Sequence, residues 1–267
     1  CMALGAATIA EIAIYLSLAT ASRKDYNSSQ PVVDLSVKPF VFAHVIPQMY
    51  TSATSIFAAG SSFRWLRDVL FPAVREQAQR DQRDPYDLLV AMALQSPVGA
   101  NGVFFNPSLA GGSAAYPNPH IRGAFLGLDL RHTSSDLLRA VLEGIAFDLC
   151  IMYRKLAQLV SLEDHILIVG GGSNSPAWRQ MFADIFDKPF VKANVGQDAA
   201  SLGAAAIAAV GSGQWNDFAM IDRLIEQQEI AQPDAHAAEQ YRRILRVYEQ
   251  TWSHLSHIAD LMKQIES

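Results

Sequence analysis

His165-Ile166-Leu167-Ile168-Val169-Gly170-Gly171-Gly172-Ser173-Asn174-Ser175-Pro176 is the stretch whose reading decides the fold. His165 to Val169 reads as a short strand of the fully buried type. The three glycines make a turn, and Ser175-Pro176 supplies an N-cap with proline at the first helical position. Trp178, Met181, Phe182 and Ile185 then recur at spacings of three and four, the apolar face of a helix. Phe190 to Val195 reads as a second strand and Asp198 to Val210 as an Ala-rich helix closed by Gly211. A β-α-β-α unit of this kind implies a parallel strand pair joined by a right-handed crossover.

Upstream, Ile12, Ile14, Leu16 and Leu18 alternate with Ala13, Tyr15 and Ser17, a period of two that predicts a strand over 12–18. Ala19-Thr20-Ala21-Ser22 leads into what reads as a polar turn through Asn27, Ser28, Ser29 and Pro31. Two more strands are predicted at Phe40 to Ile46 and Tyr50 to Phe57, parted by Pro47-Gln48. Gly60-Ser61-Ser62 opens a helix with Phe63, Leu66, Val69 and Leu70 on one face. Prolines and glycines between Pro85 and Pro119 break the middle into short elements and loops. Thr133 and Asp136 are spaced as a capping box, and Leu137, Leu138, Val141, Leu142, Ile145, Leu149 and Met152 follow as a helical face. Past Gln214 the chain reads as polar and helical, with Tyr241, Leu245, Tyr248, Trp252, Leu255 and Ile258 as its apolar stripe.

Composition bounds the function. Of 267 residues half are apolar and 18% charged, so a sizeable core is expected. A net charge of −5 with no long Lys or Arg run argues against a nucleic-acid or anionic-membrane partner. The two cysteines, Cys1 and Cys150, exclude a disulfide framework and a multi-Cys metal site. The apolar stretch Ile9 to Ala21 carries Glu11 and is too short to span a bilayer, and no basic segment precedes it. The start at Cys1-Met2, already apolar, reads as a cut inside a larger protein.

The glycine turn lies at the carboxyl end of a strand, where open α/β sheets bind ligands, and its helix start offers free N–H groups. A tight turn without a ligand stays open at this point. The dinucleotide pattern is only approached: Ser175 holds its third glycine position, and Lys192-Ala193-Asn194 stands where a ribose-binding carboxylate is expected. No Walker A loop, G-x-S-x-G elbow, H-E-x-x-H or Cys-x-x-Cys occurs. Among titratable residues, His254 and His257 read as surface residues and His44 as a satisfied core histidine. Glu143 reads as an ordinary hydrogen-bonded carboxylate beside a closely packed Gly144, and Asp184 and Asp187 as water-facing.

Gly123-Ala124-Phe125-Leu126-Gly127-Leu128, then seven residues, then Asp136-Leu137-Leu138-Arg139-Ala140-Val141-Leu142-Glu143, fits every constrained position of a family signature. The chain resembles the C-terminal half of the FGGY carbohydrate kinases, most of all the xylulose-kinase-like branch. Gly60 to Asp68, Gly170 to Gln180, Ala199 to Ala205 and the Tyr241/Tyr248 helix carry the resemblance over nearly the whole chain. It implies an α/β, actin-like, ribonuclease-H-type ATPase domain: a mixed sheet flanked by helices, with a helical C-terminal extension over 215–267. Residues 1–267 would be the nucleotide-binding domain of a two-domain, cytoplasmic sugar kinase that phosphorylates a pentulose such as xylulose, or a related ketose or polyol. ATP with Mg²⁺ would be the cofactor pair, and the sugar and the kinase's own N-terminal domain the partners. Relatives of this kind are often homodimers. Carried over residue by residue, Gly171, Gly172, Ser173 and Asn174 would contact adenosine, Gly60 and Arg64 would border the nucleotide, and Thr20 would reach the phosphates. No metal ligand is assigned. The family's general-base Asp would lie upstream of Cys1, so the chain alone is expected to be inactive.

Two departures from the family bear on activity. Its Gly-Thr-Ser phosphate turn reads Ala19-Thr20-Ala21 here, and its Leu-x-Gly-Glu-Arg reads Leu109-Ala110-Gly111-Gly112-Ser113. They keep a second expectation alive, a non-catalytic nucleotide-binding or regulatory relative.

Overall fold

In the computed structural model the described residues are 14–18, 22–56, 58–112 and 118–266. A seven-stranded sheet forms the centre, in the order β3(Phe40–Ala43), β4(Tyr50–Ile56), β2(Ser22–Ser28), β1(Ile14–Leu18), β7(Ile166–Val169), β8(Phe190–Ala193), β9(Gln227–Ala231). β1, β7 and β8 run parallel, as the β-α-β reading requires, while the pairs β1–β2, β2–β4, β3–β4 and β8–β9 are antiparallel. The sheet is therefore mixed. A separate two-stranded ribbon pairs β5(Phe104–Asn106) with β6(Ala124–Leu126).

The pleat of β7 divides the molecule. Ile166 and Ile168 point into the main core, whereas Leu167 and Val169 join Ala199 and Val195 in a small cluster on the other side. The main core is organised by one long helix, α4(Ser134–Ala157), which in order comes after α1(Ala59–Trp65), α2(Pro72–Arg80) and α3(Pro85–Ala93). Thr133 caps α4 through the expected box, with its N–H donating to Asp136 Oδ2 at 2.7 Å. Burial alone would raise the Asp136 carboxyl, but hydrogen bonds from Ser96, Thr133 and Asn101 win and hold it at about 2. The apolar stripe read from sequence is too narrow, because α4 is covered nearly all round. Even Arg139, Glu143 and Asp148 are buried. Gly144 is where β5 comes closest: a Cβ there would stand 2.1 Å from the Phe105 carbonyl oxygen.

Downstream come α5(Pro176–Phe186), α6(Ala199–Gly211), α7(Met220–Leu224) and α8(Ala235–Glu266). α8 lays Tyr241, Leu245, Tyr248 and Trp252 into the same core as α4, each at most 1% exposed. Burying side chains of this size is worth roughly 2–3 kcal/mol each before ordering costs.

Five readings are corrected. Asn27 and Ser28 are not in a turn but buried in β2, a strand paired on both edges. Its polarity hides it from pattern reading, yet Thr51 Oγ1 donates to Asn27 Oδ1 across the sheet at 2.7 Å and Ser28 Oγ donates to the Gln30 carbonyl. His44 follows β3 instead of lying in it and is half-buried. Its Nδ1 accepts the Ile46 N–H at 3.1 Å, but its buried Nε2 has no partner. Val69 and Leu70 are exposed, because a π-helical turn over Leu66–Leu70 rotates them away from the face of Phe63 and Leu66. Asp184 is buried and does not face water: the start of α8 folds over it, and its Oδ1 accepts Asp234 N–H and Gln180 Nε2–H, both at 2.8 Å. The polar stretch after Gln214 is not all helix, since β9 closes the sheet edge beside β8. Asp187 is exposed as read, in the left-handed conformation that ends α5, and His254 and His257 lie on the surface.

Candidate functional site

β7 ends at Val169, and Gly170 then takes φ 92°, ψ 169°, a conformation only glycine adopts without strain. Its N–H donates to the Gly196 carbonyl at 3.0 Å, so two turns, Gly171–Asn174 and Gly196–Asp198, are tied side by side. Both turns are single 3₁₀ turns that feed helices. Ser175 caps α5, its Oγ accepting the Trp178 N–H at 3.3 Å, and Pro176 stands at the first position as read from sequence.

A cleft of about 520 Å³ opens above these turns. It is lined by Gly170, Gly171, Gly172 and Asn174, by Gly60, Phe63 and Arg64 from α1, by Asp84, Tyr86, Asp87 and Val90 at the start of α3, and by Gly196, Ala199 and Ala200. The cleft thus gathers the starts of α3, α5 and α6 at the carboxyl ends of β1 and β7, where Ser17 and Val169 line its floor. Free backbone N–H groups at helix starts suit an anionic or acceptor-rich ligand. The α3 end differs, because Asp84 and Asp87 put negative charge there; Asp84 Oδ1 accepts the Tyr86 N–H at 2.8 Å as the helix cap.

Three aromatic side chains, Phe63, Tyr86 and Trp178, line the same cleft. Phe63 meets Trp178 edge-on at 5.5 Å and Tyr86 at 5.1 Å between ring centroids. Arg67 holds Tyr86 in place: its guanidinium lies 4.9 Å over the ring and Nη1 donates to the hydroxyl at 3.0 Å. Arg67 in turn pairs with Asp68 at 2.7 Å, and this hydrogen bond holds the Asp68 carboxyl below its usual range.

Of the residues singled out from sequence, Gly60, Arg64, Gly171, Gly172 and Asn174 share this cleft. Ser173 does not line it. Ser173 is fully buried, its Oγ donating to the Gly170 carbonyl at 2.7 Å, so its side chain shapes the turn from behind. Thr20, with Ala19 and Ala21, lies outside the described residues, as does Ser113. Asp84, Tyr86 and Asp87 were missed, although Asp84-Pro85 carries the same cap-and-proline signal as Ser175-Pro176. Among the described residues no group of three or more His, Cys, Asp or Glu side chains is placed to hold a metal ion. Nor is any described helix long and apolar enough to cross a membrane.

Comparison with known proteins identifies the family and the fold. The family model described as "FGGY family of carbohydrate kinases, C-terminal domain" matches residues 16–212. A xylulose kinase of Staphylococcus epidermidis is 29% identical over 264 residues, covering 98% of this chain and 51% of that protein. A gluconokinase of Bacillus licheniformis is 32% identical over 190 residues, 71% of this chain and 37% of that protein. The crystal structure of xylulose kinase from Rhodospirillum rubrum superposes with a TM-score of 0.81 at 26% identity, over 97% of this chain and 50% of that one. The chain spans about half the length of the xylulose kinases it matches, and its fold is the actin-like ATPase fold of such kinases.

Proposed function

The chain belongs to the FGGY family of carbohydrate kinases, and from that premise we propose that the protein carrying it transfers a phosphoryl group from ATP to a sugar hydroxyl. Residues 1–267 are then its C-terminal, nucleotide-binding domain. The substrate is a pentulose such as xylulose, or a related ketose, sugar acid or polyol. The observation that carries this reading is the cleft itself, where the Gly170–Gly172 wall and three helix starts converge beside an aromatic patch. Phosphates are repelled by Asp84 and Asp87, so the base is assigned to the side of Tyr86, Val90 and Trp178. The phosphates are assigned toward the end of β1, which Thr20 follows, and the adenosine to Gly171, Gly172 and Asn174 of the glycine turn.

In this role Gly171, Gly172 and Asn174 contact the nucleotide directly, Gly60 and Arg64 border it, and Ser173 supports the turn without touching it. Catalysis by such a domain is positioning and neutralisation of charge on the transferring group. Mg²⁺ supplies charge neutralisation when bound with the phosphates, and no residue described in this chain is assigned to hold it. The general base and the residues that read the sugar are assigned to the half of the relatives that this chain does not span. Cytoplasmic location and homodimerisation are part of the proposal and rest on the family alone.

The test is ADP release by the protein at its natural length, with ATP and Mg²⁺, across xylulose, other ketoses, gluconate and polyols. Turnover that depends on one of these sugars is the expected result. Nucleotide binding with no sugar-dependent turnover would favour a regulatory relative, and failure to bind ADP would sink both readings.

A further inference from the structure

Arg179 lies one helical turn into α5, behind the glycine turn and away from the cleft lining. It is 3% exposed. Its Nη1 donates to the Ser173 carbonyl, and its Nη2 pairs with the carboxylate of Glu229 on β9. Nε is buried and has no partner. Stability alone does not account for a cation here. A buried guanidinium costs desolvation, the idle Nε adds to it, and Glu229 is half in water and so returns little. An apolar side chain of similar volume would serve the fold as well.

What the guanidinium does supply is direction. Gly170, Gly171 and Gly172 have no side chains to select one backbone conformation, so bonds from outside must do so. Two of these come from Ser173, whose N–H and Oγ donate to Gly170 O at 3.0 and 2.7 Å. A third joins the Gly170 N–H to the Gly196 carbonyl, and the fourth is Arg179, which fixes the Ser173 carbonyl and, by polarising that peptide group, sharpens the Asn174 N–H as a donor. We infer that Arg179 is a positioning residue for the nucleotide: it holds the Gly171–Asn174 turn in its binding shape, and Glu229 on β9 holds Arg179. This rests on the nucleotide reading of the cleft.

The experiment measures ADP affinity by calorimetry, alongside ligand-free Tm, for Arg179→Met, Arg179→Lys and Glu229→Gln in the protein at its natural length. Leu156→Ala, a core change far along α4, shows what lost stability alone does to affinity. Arg179→Met is expected to weaken ADP about tenfold, one charge-assisted hydrogen bond's worth. Arg179→Lys, which keeps one donor, should recover part of it, and Glu229→Gln should weaken binding about threefold. Amide hydrogen exchange at 171–174 in the ligand-free protein should quicken in the same order. Should Arg179→Met fail to fold, Arg179→Lys and Glu229→Gln decide by the same readings. Wild-type affinity in the Arg179 variants, or a loss matched by Leu156→Ala, overturns the inference while leaving the nucleotide reading intact. No ADP binding by the unmodified protein overturns the reading itself and the inference with it.

Discussion

The phenolic hydroxyl of Tyr241 on α8 donates to Oε1 of Glu143 on α4 at 2.8 Å, with neither residue more than 1% exposed. The same oxygen accepts Arg139 Nε–H at 2.7 Å and Gly99 N–H at 3.0 Å, while Arg139 reaches back to the Tyr241 hydroxyl and the Ser96 carbonyl. Burial pushes the Glu143 carboxyl up, and the Arg139 charge works against it. Tyr241→Phe removes one donor from a desolvated carboxylate and an acceptor from Arg139. It is expected to cost about 1–3 kcal/mol in urea unfolding. An unchanged midpoint would show that Tyr241 is packing only.

Asp148 sets a pH dependence. It is buried, its Oδ1 accepting Tyr248 O–H at 3.0 Å and Trp252 Nε1–H at 3.1 Å, and burial drives its carboxyl well above the ordinary value. The native state therefore keeps this proton to higher pH than the unfolded chain does. Its contribution to stability is complete below about pH 4 and is lost as pH rises from there. In Asp148→Asn that loss disappears. The variant should gain on the wild type between pH 4.5 and pH 8, read as a rising difference in urea midpoint. Parallel profiles would contradict the assignment.

Gly171 separates binding from folding. A Cβ at this position meets no protein atom within 4 Å, yet the residue lines the cleft. Gly171→Ala is expected to shift stability by less than about 1 kcal/mol, as an unhindered glycine replacement does, while weakening ADP binding measured by calorimetry. Loss of Tm without loss of affinity would remove Gly171 from the ligand's contacts.

Gly144 is the opposite case. With the Phe105 oxygen 2.1 Å from a Cβ, Gly144→Ala must part α4 from β5, at a cost of about 3 kcal/mol or more. Gly211→Ala, at the open end of α6, provides the contrast and should be neutral or mildly stabilising. Thermal unfolding of the two variants checks the pair.

What was legible in the sequence was local. The Thr133/Asp136 box, the Ser175-Pro176 cap and the β7–α5–β8 order follow from neighbours in the chain, and each stands where it was read. β2 was not legible, because what makes it a strand is pairing on both edges, and Asn27 meets its hydrogen-bond partner Thr51 on another strand. The cleft was half legible for the same reason. The glycine wall announces itself, but Tyr86 becomes part of the site only because α3 packs beside α1. Ser173 shows the limit from the other side: a residue inside the right motif can face away from the cleft.

Among the described residues β3 is the last strand on its side of the sheet. Phe40, Val41 and Phe42 are exposed on a sheet margin that pairs with no further strand among the described residues, the arrangement that lets chains add to one another as fibrils begin. Pro39 precedes the strand and has no N–H to offer, Lys38 adds charge beside it, and the strand runs only from Phe40 to Ala43. These gatekeepers cap the length over which another chain can zip on. Replacing Pro39 with an apolar, β-favouring residue would lengthen that template and turn a tolerated margin into a seed for aggregation.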